Sequence, residues 1–246
     1  MIEVIADTVA NHGGRITTLK CTYPRYIHAQ VMTHRVFSRN AASSRAIPTS
    51  VMIENARVMP NHFGLNQAGM QPQKVEADRE RCEAVWNIAR ENAIASATNL
   101  HALGVHKEVV NRLLEPFLFI TTLITSTEWD NFFKQRLAHD AQSEIRLLAE
   151  EMCEAVQAST PAQRMWHTPF AIGNNVRIEQ SVARCARVSY NKEGRESTLG
   201  EDIALYEKLK ADGHWSPFEH VAHAGAAGVK SGNFTGWIQH RQEVQK

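Results

Sequence analysis

Residues 33–45 read THRVFSRNAASSR, and the wider region 25–53 contains no Asp or Glu. Arginines are mixed there with hydroxyl and amide side chains. Guanidinium groups are forked hydrogen-bond donors, and together with hydroxyls they suit a phosphate group. A solvated basic loop without a ligand is the alternative that composition alone leaves open. The stretch therefore predicts either a phosphate-binding loop or a solvated basic loop, and other segments of the chain are needed to choose between them.

Two further segments of the chain combine with this stretch into a recognisable pattern. Residues 186–190 read ARVSY and residues 213–220 read GHWSPFEH, while Arg136 precedes AQSEI at residues 141–145. Together these segments resemble the flavin-dependent thymidylate synthases, whose signature is Arg-His-Arg-x-x-Ser-x-x-x-x-Ser-x-Arg. Residues 33–45 keep every defined position of that signature except the first.

The resemblance implies a fold and an activity. The expected fold is α+β, with a central mixed or antiparallel sheet flanked by helices. The expected reaction converts dUMP to dTMP, with FAD as cofactor and methylenetetrahydrofolate and NADPH as co-substrates. The expected assembly is a homotetramer that binds a deoxynucleotide monophosphate in active sites shared between subunits. Such enzymes need no cysteine nucleophile, which agrees with the scattered cysteines of this chain.

The resemblance also assigns roles to individual residues. Arg136 is expected to polarise the uracil ring, because a fixed positive charge stabilises the anion that develops there, and Ser43 is the second predicted catalytic residue. The residues expected to border the flavin are His34, Arg35, Ser38, Asn131, His214 and Ser216. The residues expected to hold the nucleotide are Gln30, Ser43, Ser44, Arg45, Arg112 and Arg136. Arg112 and Arg136 each stand among apolar residues in the sequence, and for both a buried structural ion pair with a carboxylate is the alternative.

Three positions depart from the family pattern. Thr33 replaces the first arginine of the signature, Ala41 stands where many members have Glu, and residues 125–127 replace an Asn-x-Arg that touches FAD. The lost arginines weaken contacts to an anionic cofactor unless Arg39 or Arg241 substitutes for them. These departures leave two rivals open. One is a hydroxymethylase acting on dUMP or dCMP, and the other is a nucleotide-binding relative without turnover.

The order of the motifs differs from that of the family, in which the ARVSY and GHWSPFEH segments come before the signature. We therefore expect a circularly permuted single domain. Residues 1–156 would contain the signature loop and a helical core, residues 157–177 a linker rich in Ser, Thr, Pro and Gln, and residues 178–246 the permuted module. Permutation preserves packed contacts where the original termini lie close together.

Composition excludes several other classes. The chain is 43% hydrophobic, and its 27 Lys and Arg against 26 Asp and Glu give a net charge of +1. No cationic field is therefore available for nonspecific nucleic-acid binding. The longest apolar stretch is too short to span a bilayer, and the amino terminus lacks the pattern of a secretion signal, so the predicted location is cytoplasmic. No Cys or His pair has the spacing of a metal site, and none is predicted.

Patterning along the chain predicts the following elements. Strands are expected at residues 1–9 and 15–23, joined by a hairpin-like turn that contains Gly13 and Gly14, at residues 221–229, and at 117–125, where a buried helix fits almost as well. Helices are expected at residues 26–35, 74–103, 106–115, 128–137, around 145–156, at 198–211 and from 234, with an irregular loop at 38–59. The helix at 74–103 is expected to bury a face that includes Val85 and Leu103, and the helix around 145–156 a face formed by Ile145, Leu148, Met152 and Val156. Capping boxes are expected to begin the helices at Thr127 and Thr198.

Overall fold

The structure is a computed structural model that describes residues 1–12, 14–170, 177–189 and 197–245. Its strands are β1 (Ile2–Val9), β2 (Arg15–Pro24), β3 (Ser38–Ala41), β4 (Phe119–Ser126), β5 (Ala162–Gln163), β6 (Trp166–His167), β7 (Ala222–Ala224), β8 (Lys230–Ser231), β9 (Phe234–Thr235) and β10 (Trp237–Gln239). Its α-helices are α1 (His28–Met32), α2 (Thr49–Glu54), α3 (Arg79–Ala102), α4 (Lys107–Val110), α5 (Asp130–Arg136), α6 (Ser143–Ala158), α7 (Ile178–Ala186), α8 (Leu199–Ala211) and α9 (His240–Val244). Short 3-10 turns occupy Arg25–Ile27, Asn111–Phe117, Arg187–Ser189 and Ser216–His220.

A five-stranded sheet in the order β3-β4-β2-β1-β5 forms the centre of the fold. Strands β1 and β2 form the predicted antiparallel hairpin, whose turn is closed by a hydrogen bond from the Ala10 amide to the Gly14 carbonyl. Gly13, which belongs to the predicted turn, lies outside the described residues. Because β5 runs parallel to β1 while the other pairs are antiparallel, the sheet is mixed. The predicted α+β class with a mixed sheet is thereby confirmed.

One face of this sheet carries the main apolar core. Strand side chains alternate between faces, so Cys21, Tyr23 and Ile124 point the same way and pack in one cluster with Ile145 and Met152 of α6. The predicted apolar face of α6 is confirmed, since both of these α6 residues are fully buried. Burial of each large side chain contributes about 1.5–3 kcal/mol, so this helix anchors the sheet.

The opposite face carries a buried chain of hydrogen-bonded polar side chains. His167 bonds to the hydroxyls of Thr8 at 2.9 Å and Thr18 at 2.7 Å. Thr18 bonds to Thr125 at 2.7 Å, and Thr125 bonds to Nδ1 of His220 at 2.7 Å. Burial lowers the pKa of both imidazoles to about 3, so both rings are neutral at pH 7. This chain attaches β6 and the turn at His220 to the central sheet.

Helix α3 is more exposed than its sequence pattern indicates. Asp78 caps its amino terminus by accepting a bond from the Arg81 amide. Ala97 is fully buried in a second apolar cluster, but Val85 and Leu103, which were expected on the buried face, are 68% and 78% exposed. The buried apolar face of α3 is therefore narrower than predicted. Within the described ranges, no helix is both long and apolar enough to cross a membrane.

Other local predictions are wrong because distant segments decide the structure. The expected loop at 38–59 contains β3, which pairs with the outer edge of β4, and also α2. Thr127 forms no capping box, since its hydroxyl accepts a bond from the Thr235 amide instead. The box at Thr198 is confirmed.

The carboxyl-terminal third also differs from expectation. A turn at Gly236, with φ of 77°, interrupts the helix predicted from residue 234, so β9 and β10 precede the short α9. Strands β5 and β6 lie within the predicted linker and pair with β1 and β7. The segment up to residue 170 is thus partly built into sheets, and residues 171–176 of the predicted linker lie outside the described residues.

Candidate active site

A cavity of about 420 Å³ lies between the loop that follows β3 and the turn at residues 214–217. Its polar lining comes from both segments, and consists of Asn40, Ser43, Arg45, His214 and Ser216. Four of these five are among the residues that the sequence analysis selected. The described lining contains Arg45 and His214 but no carboxylate. The cavity can therefore accept an anionic molecule that also offers hydrogen-bonding groups.

Asn40 is the polar lining residue that sequence reasoning missed. Its Nδ2 donates to the Cys185 carbonyl at 2.7 Å, and its Oδ1 accepts a bond from the Ser216 hydroxyl at 3.4 Å. Asn40 thus connects β3 to α7 and to the carboxyl-terminal turn. Its place at the cavity could have been predicted only together with β3, because a strand places residues two apart, such as Ser38 and Asn40, on one face.

The segment that begins at α4 stabilises the loop after β3 through hydrogen bonds to its backbone and side chains. Asn111 is fully buried, and its Nδ2 donates to the carbonyls of Ser44 at 2.7 Å and Ile47 at 3.1 Å. Nζ of Lys107 donates to the Ala46 carbonyl at 2.8 Å. The Ser44 side chain is also buried and donates to Glu115 at 3.2 Å. Ser44, expected at the nucleotide, therefore contacts the supporting segment.

Arg112 forms the ion pair that the sequence left open as an alternative. Its Nη1 lies 2.6 Å from Oε1 of Glu115, which also pairs with Arg25 at 2.9 Å. Partial burial raises the pKa of Glu115, but the bonds to Arg112 and Arg25 outweigh it and lower the pKa overall. The Arg112 side chain is 51% exposed, so the apolar surroundings inferred from its neighbours in sequence are wrong.

A second group of the selected residues surrounds Arg136. Its Nε donates to Nε2 of His34 at 2.9 Å, and its Nη2 donates to the Thr33 hydroxyl at 3.3 Å. Gln30 bonds to Gln142. Burial lowers the pKa of His34 to about 4, with added contributions from the charges of Arg136 and Arg39. The ring is therefore neutral at pH 7.

The edge strand β3 separates these two groups. Nη1 of Arg39 donates to the Met32 carbonyl on the side of α1, whereas the next residue, Asn40, contacts Cys185 and Ser216. Consecutive strand residues point to opposite faces. Within one chain, Ser43 and Arg45 therefore line the cavity, while Arg136 lies with His34 on the other side of β3.

Only some of the residues expected to border the flavin are placed where a flavin could contact them. His214 and Ser216 line the cavity, and the side chains of Arg35 and Asn131 are exposed, so these four are accessible to a ligand. Ser38 does not fit, since it is fully buried and accepts a bond from Gln239 at 3.0 Å. Arg241, the suggested replacement cation, pairs with Glu219. Among the described residues, no cluster of His, Cys, Asp and Glu could hold a metal ion.

The fold and the cavity together describe an α+β protein with a site for a small anionic ligand. The family model of thymidylate synthase complementing protein matches residues 10–162, which is more than half of the chain. The chain belongs to that family, and it is a thymidylate synthase-like methyltransferase. The match includes the signature at 33–45 and Arg136, but not the carboxyl-terminal residues that complete the cavity.

A solved structure of a nucleotide methylase agrees with this fold. A crystal structure of the UMP/dUMP methylase PolB from Streptomyces cacaoi bound with 5-Br dUMP superposes with a TM-score of 0.51 at 16% sequence identity, and the alignment covers 63% of this chain and 88% of that one. A second structure of PolB, bound with 5-Br UMP, has a TM-score of 0.49 at 16% identity over 63% and 87% of the two chains. No curated protein sequence matches the chain.

Proposed function

We propose that the protein is a flavin-dependent methylase that converts dUMP to dTMP. FAD would be the cofactor, and methylenetetrahydrofolate and NADPH the co-substrates. The observation that carries the proposal is the cavity that Ser43 and Arg45 share with His214 and Ser216. Membership of the thymidylate synthase complementing family supports the same reaction class. When bound, reduced flavin would supply the hydride of the methylation.

The cavity has the chemistry needed for a nucleotide monophosphate. The Arg45 guanidinium is exposed to the cavity and offers paired donors to a phosphate, and Ser43 lies on the same wall. Asn40 and Ser216 add donors and acceptors that suit a sugar or a base edge. Arg136 would face the uracil ring, where its charge would stabilise the carbanion character that develops at carbon 5.

A shared active site follows from the same assignment. Arg45 and Arg136 lie on different sides of β3, so we propose that one nucleotide takes them from different subunits of a homotetramer. We also propose that the carboxyl-terminal segment is a permuted module of a single domain. Its support is the packing of Ser216 and Gln239 against Asn40 and Ser38 of β3.

Calorimetric titration with dUMP tests the cavity. Arg45→Ala is expected to weaken binding by about tenfold or more, because a charge-assisted bond to phosphate contributes about 1.5–3 kcal/mol. Arg146→Ala is the matched control, since Arg146 lies on α6 and pairs with Glu150. Equal affinities of the two variants for dUMP would remove the cavity from the proposal. An absorption spectrum with added FAD and mass analysis of the product test the cofactor and the reaction.

Subunit mixing tests the shared site. Arg45→Ala and Arg136→Ala are each expected to be inactive, but mixed subunits contain some sites in which both arginines are intact. Mixing after mild dissociation is therefore expected to restore turnover, whereas mixing two samples of one variant is not. No recovery in confirmed mixed tetramers would mean that both arginines come from one chain.

One observation favours a second candidate, a hydroxymethylase acting on dUMP or dCMP. Thr125 and Thr127 stand where the family resemblance expects flavin contacts, yet both hydroxyls bond within the chain, to His220 and to the Thr235 amide. Altered flavin contacts would let water reach the methylene adduct before the hydride. A product heavier than its own substrate by the elements of formaldehyde would identify this reaction, and binding without product would indicate a relative that has lost turnover.

A further inference from the structure

The side chain of Arg136 is held at two points by consecutive residues of the signature. Its Nε donates to Nε2 of His34 at 2.9 Å, and its Nη2 donates to the Thr33 hydroxyl at 3.3 Å. We infer that His34 and Thr33 are positioning residues, whose acceptors fix the direction in which the Arg136 guanidinium presents its remaining donors to the substrate. The inference rests on the proposed function in taking that substrate to be a pyrimidine nucleotide.

The surroundings of His34 make its ring a fixed acceptor. The side chain is only 6% exposed, and its ring stands edge-on to Phe132 at a centroid distance of 4.8 Å and lies 5.8 Å from Phe37. A protonated imidazole has no acceptor, and it would direct an N–H at the N–H of Arg136. The contact therefore requires a neutral ring with its proton on Nδ1. Burial and the charges of Arg136 and Arg39 favour that neutral state.

Thr33 provides the second acceptor. Its hydroxyl donates to the Gln30 carbonyl at 2.7 Å, which orients the oxygen lone pairs and leaves one of them to accept the bond from Arg136. An arginine at this position, as in the signature, has no acceptor and would bring a second positive charge beside Arg136. In this chain the departure at Thr33 thus contributes directly to how Arg136 is held.

The hydrogen-bond donors of Arg136 that His34 and Thr33 do not use are left for a substrate. In the part of the chain that the structure describes, Nη1 of Arg136 has no hydrogen-bond partner. The two bonds to His34 and Thr33 use donors on Nε and Nη2, so the donors on Nη1 are left for a ligand. A guanidinium fixed in this way loses little further entropy when it binds a planar group, which is the purpose of preorganisation.

Kinetics of four variants test the inference. His34→Leu removes the acceptor and is expected to lower kcat for dUMP by about 100-fold, the cost of a misplaced catalytic group, while KM changes by less than about threefold. His34→Gln can present an oxygen near the Nε2 position and is expected to stay within about tenfold of wild type. Thr33→Val is expected to lower kcat by about tenfold, whereas Thr33→Ser keeps the hydroxyl and remains near wild type.

Nitrogen-15 NMR provides a readout that does not depend on turnover. Wild-type His34 is expected to show the Nδ1–H tautomer at pH 7, and the Nε–H signal of Arg136, assigned by its loss in Arg136→Lys, is expected to exchange slowly. His34→Leu should accelerate that exchange, and His34→Gln should restore it. Far-UV circular dichroism establishes that each variant is folded before it is compared.

The outcomes separate this inference from the proposed function. A wild-type protein that binds no nucleotide and forms no product contradicts the proposed function, and the NMR signals then decide alone whether His34 holds Arg136. An active enzyme in which His34→Leu and His34→Gln lose the same activity, or lose none, overturns the positioning role. A protonated His34 or an Nε2–H tautomer at pH 7 overturns it in either case.

Discussion

Acid is expected to destabilise the protein through the two buried histidines that join the carboxyl-terminal segment to the sheet. His167 and His220 are completely buried, and burial lowers the pKa of each to about 3 from the ordinary value of 6.5. Between these values the unfolded chain binds protons that the folded chain cannot. The free energy of unfolding is therefore highest above pH 6.5 and falls as the pH drops toward 3.

The size of the effect follows from the span of pH. A pH of 5 is about 1.5 units below the ordinary pKa of a histidine in the unfolded chain, and each pH unit corresponds to about 1.4 kcal/mol of free energy of unfolding. Each buried ring therefore costs about 2 kcal/mol at pH 5 relative to pH 7.5, and the pair about 4 kcal/mol. For a domain whose total stability is about 5–15 kcal/mol, a loss of this size shifts the urea midpoint clearly.

The contribution of one ring is isolated by comparing variants. His220→Asn places a polar atom near the position of Nδ1, where the Thr125 hydroxyl bonds, and removes the titrating group. Urea unfolding followed by tryptophan fluorescence at pH 7.5, 6 and 5 should show a stability loss about 2 kcal/mol smaller than in wild type. His101→Asn, at an exposed position on α3, should follow wild type. Parallel curves for wild type and His220→Asn would refute the reasoning.

Substitutions at four further residues test separate parts of the structure. Leu148→Ala in the core face of α6 should lower the free energy of unfolding by about 2–4 kcal/mol in urea titrations, because Leu148 is 4% exposed and its removal leaves a cavity. Thr198→Ala should cost about 1 kcal/mol in the same assay by removing the capping box of α8, and Thr198→Ser should recover most of it. Asn111→Ala should weaken dUMP binding by about tenfold in calorimetry, since its bonds to the carbonyls of Ser44 and Ile47 in the loop after β3 are lost. Arg112→Ala should change it by less than about threefold if the ion pair with Glu115 is its role.

The parts of the fold that the sequence predicted are those fixed by local pattern. The β1–β2 hairpin, the apolar face of α6 and the cap at Thr198 each depend on residues close together in the chain. β3 was missed because Ser-Arg-Asn-Ala has no apolar alternation, and it is a strand only because β4 offers an edge to pair with. The exposed α3 shows the same limit, since periodicity did not reveal which of its apolar residues had a partner.

The candidate site likewise contains residues that the sequence predicted and contacts that it did not. Ser43, Arg45, His214 and Ser216 were selected from motifs, and the structure brings all four to one cavity. The supporting contacts could not be read from the sequence. Glu115 and Asn111 hold the loop from a segment far along the chain, and nothing in their neighbourhood indicates which backbone carbonyl or arginine they meet.

Hydrogen bonds are among the long-range contacts that hold the two walls of the cavity together. Residues 214–217 stay beside the loop after β3 because the Ser216 hydroxyl bonds to Asn40, Gln239 bonds to Ser38, and His220 bonds to Thr125. A protonated His220 would need water, because a charged ring is costly to bury without an opposite charge, and the folded chain takes up that proton only near pH 3. Between pH 6.5 and about 3 the proton is taken up by the unfolded chain, so the two walls of the cavity stay together in the molecules that remain folded. Nucleotide binding should therefore be lost in acid only through unfolding, and His220→Asn, which loses about 2 kcal/mol less stability than wild type at pH 5, should retain binding to a lower pH.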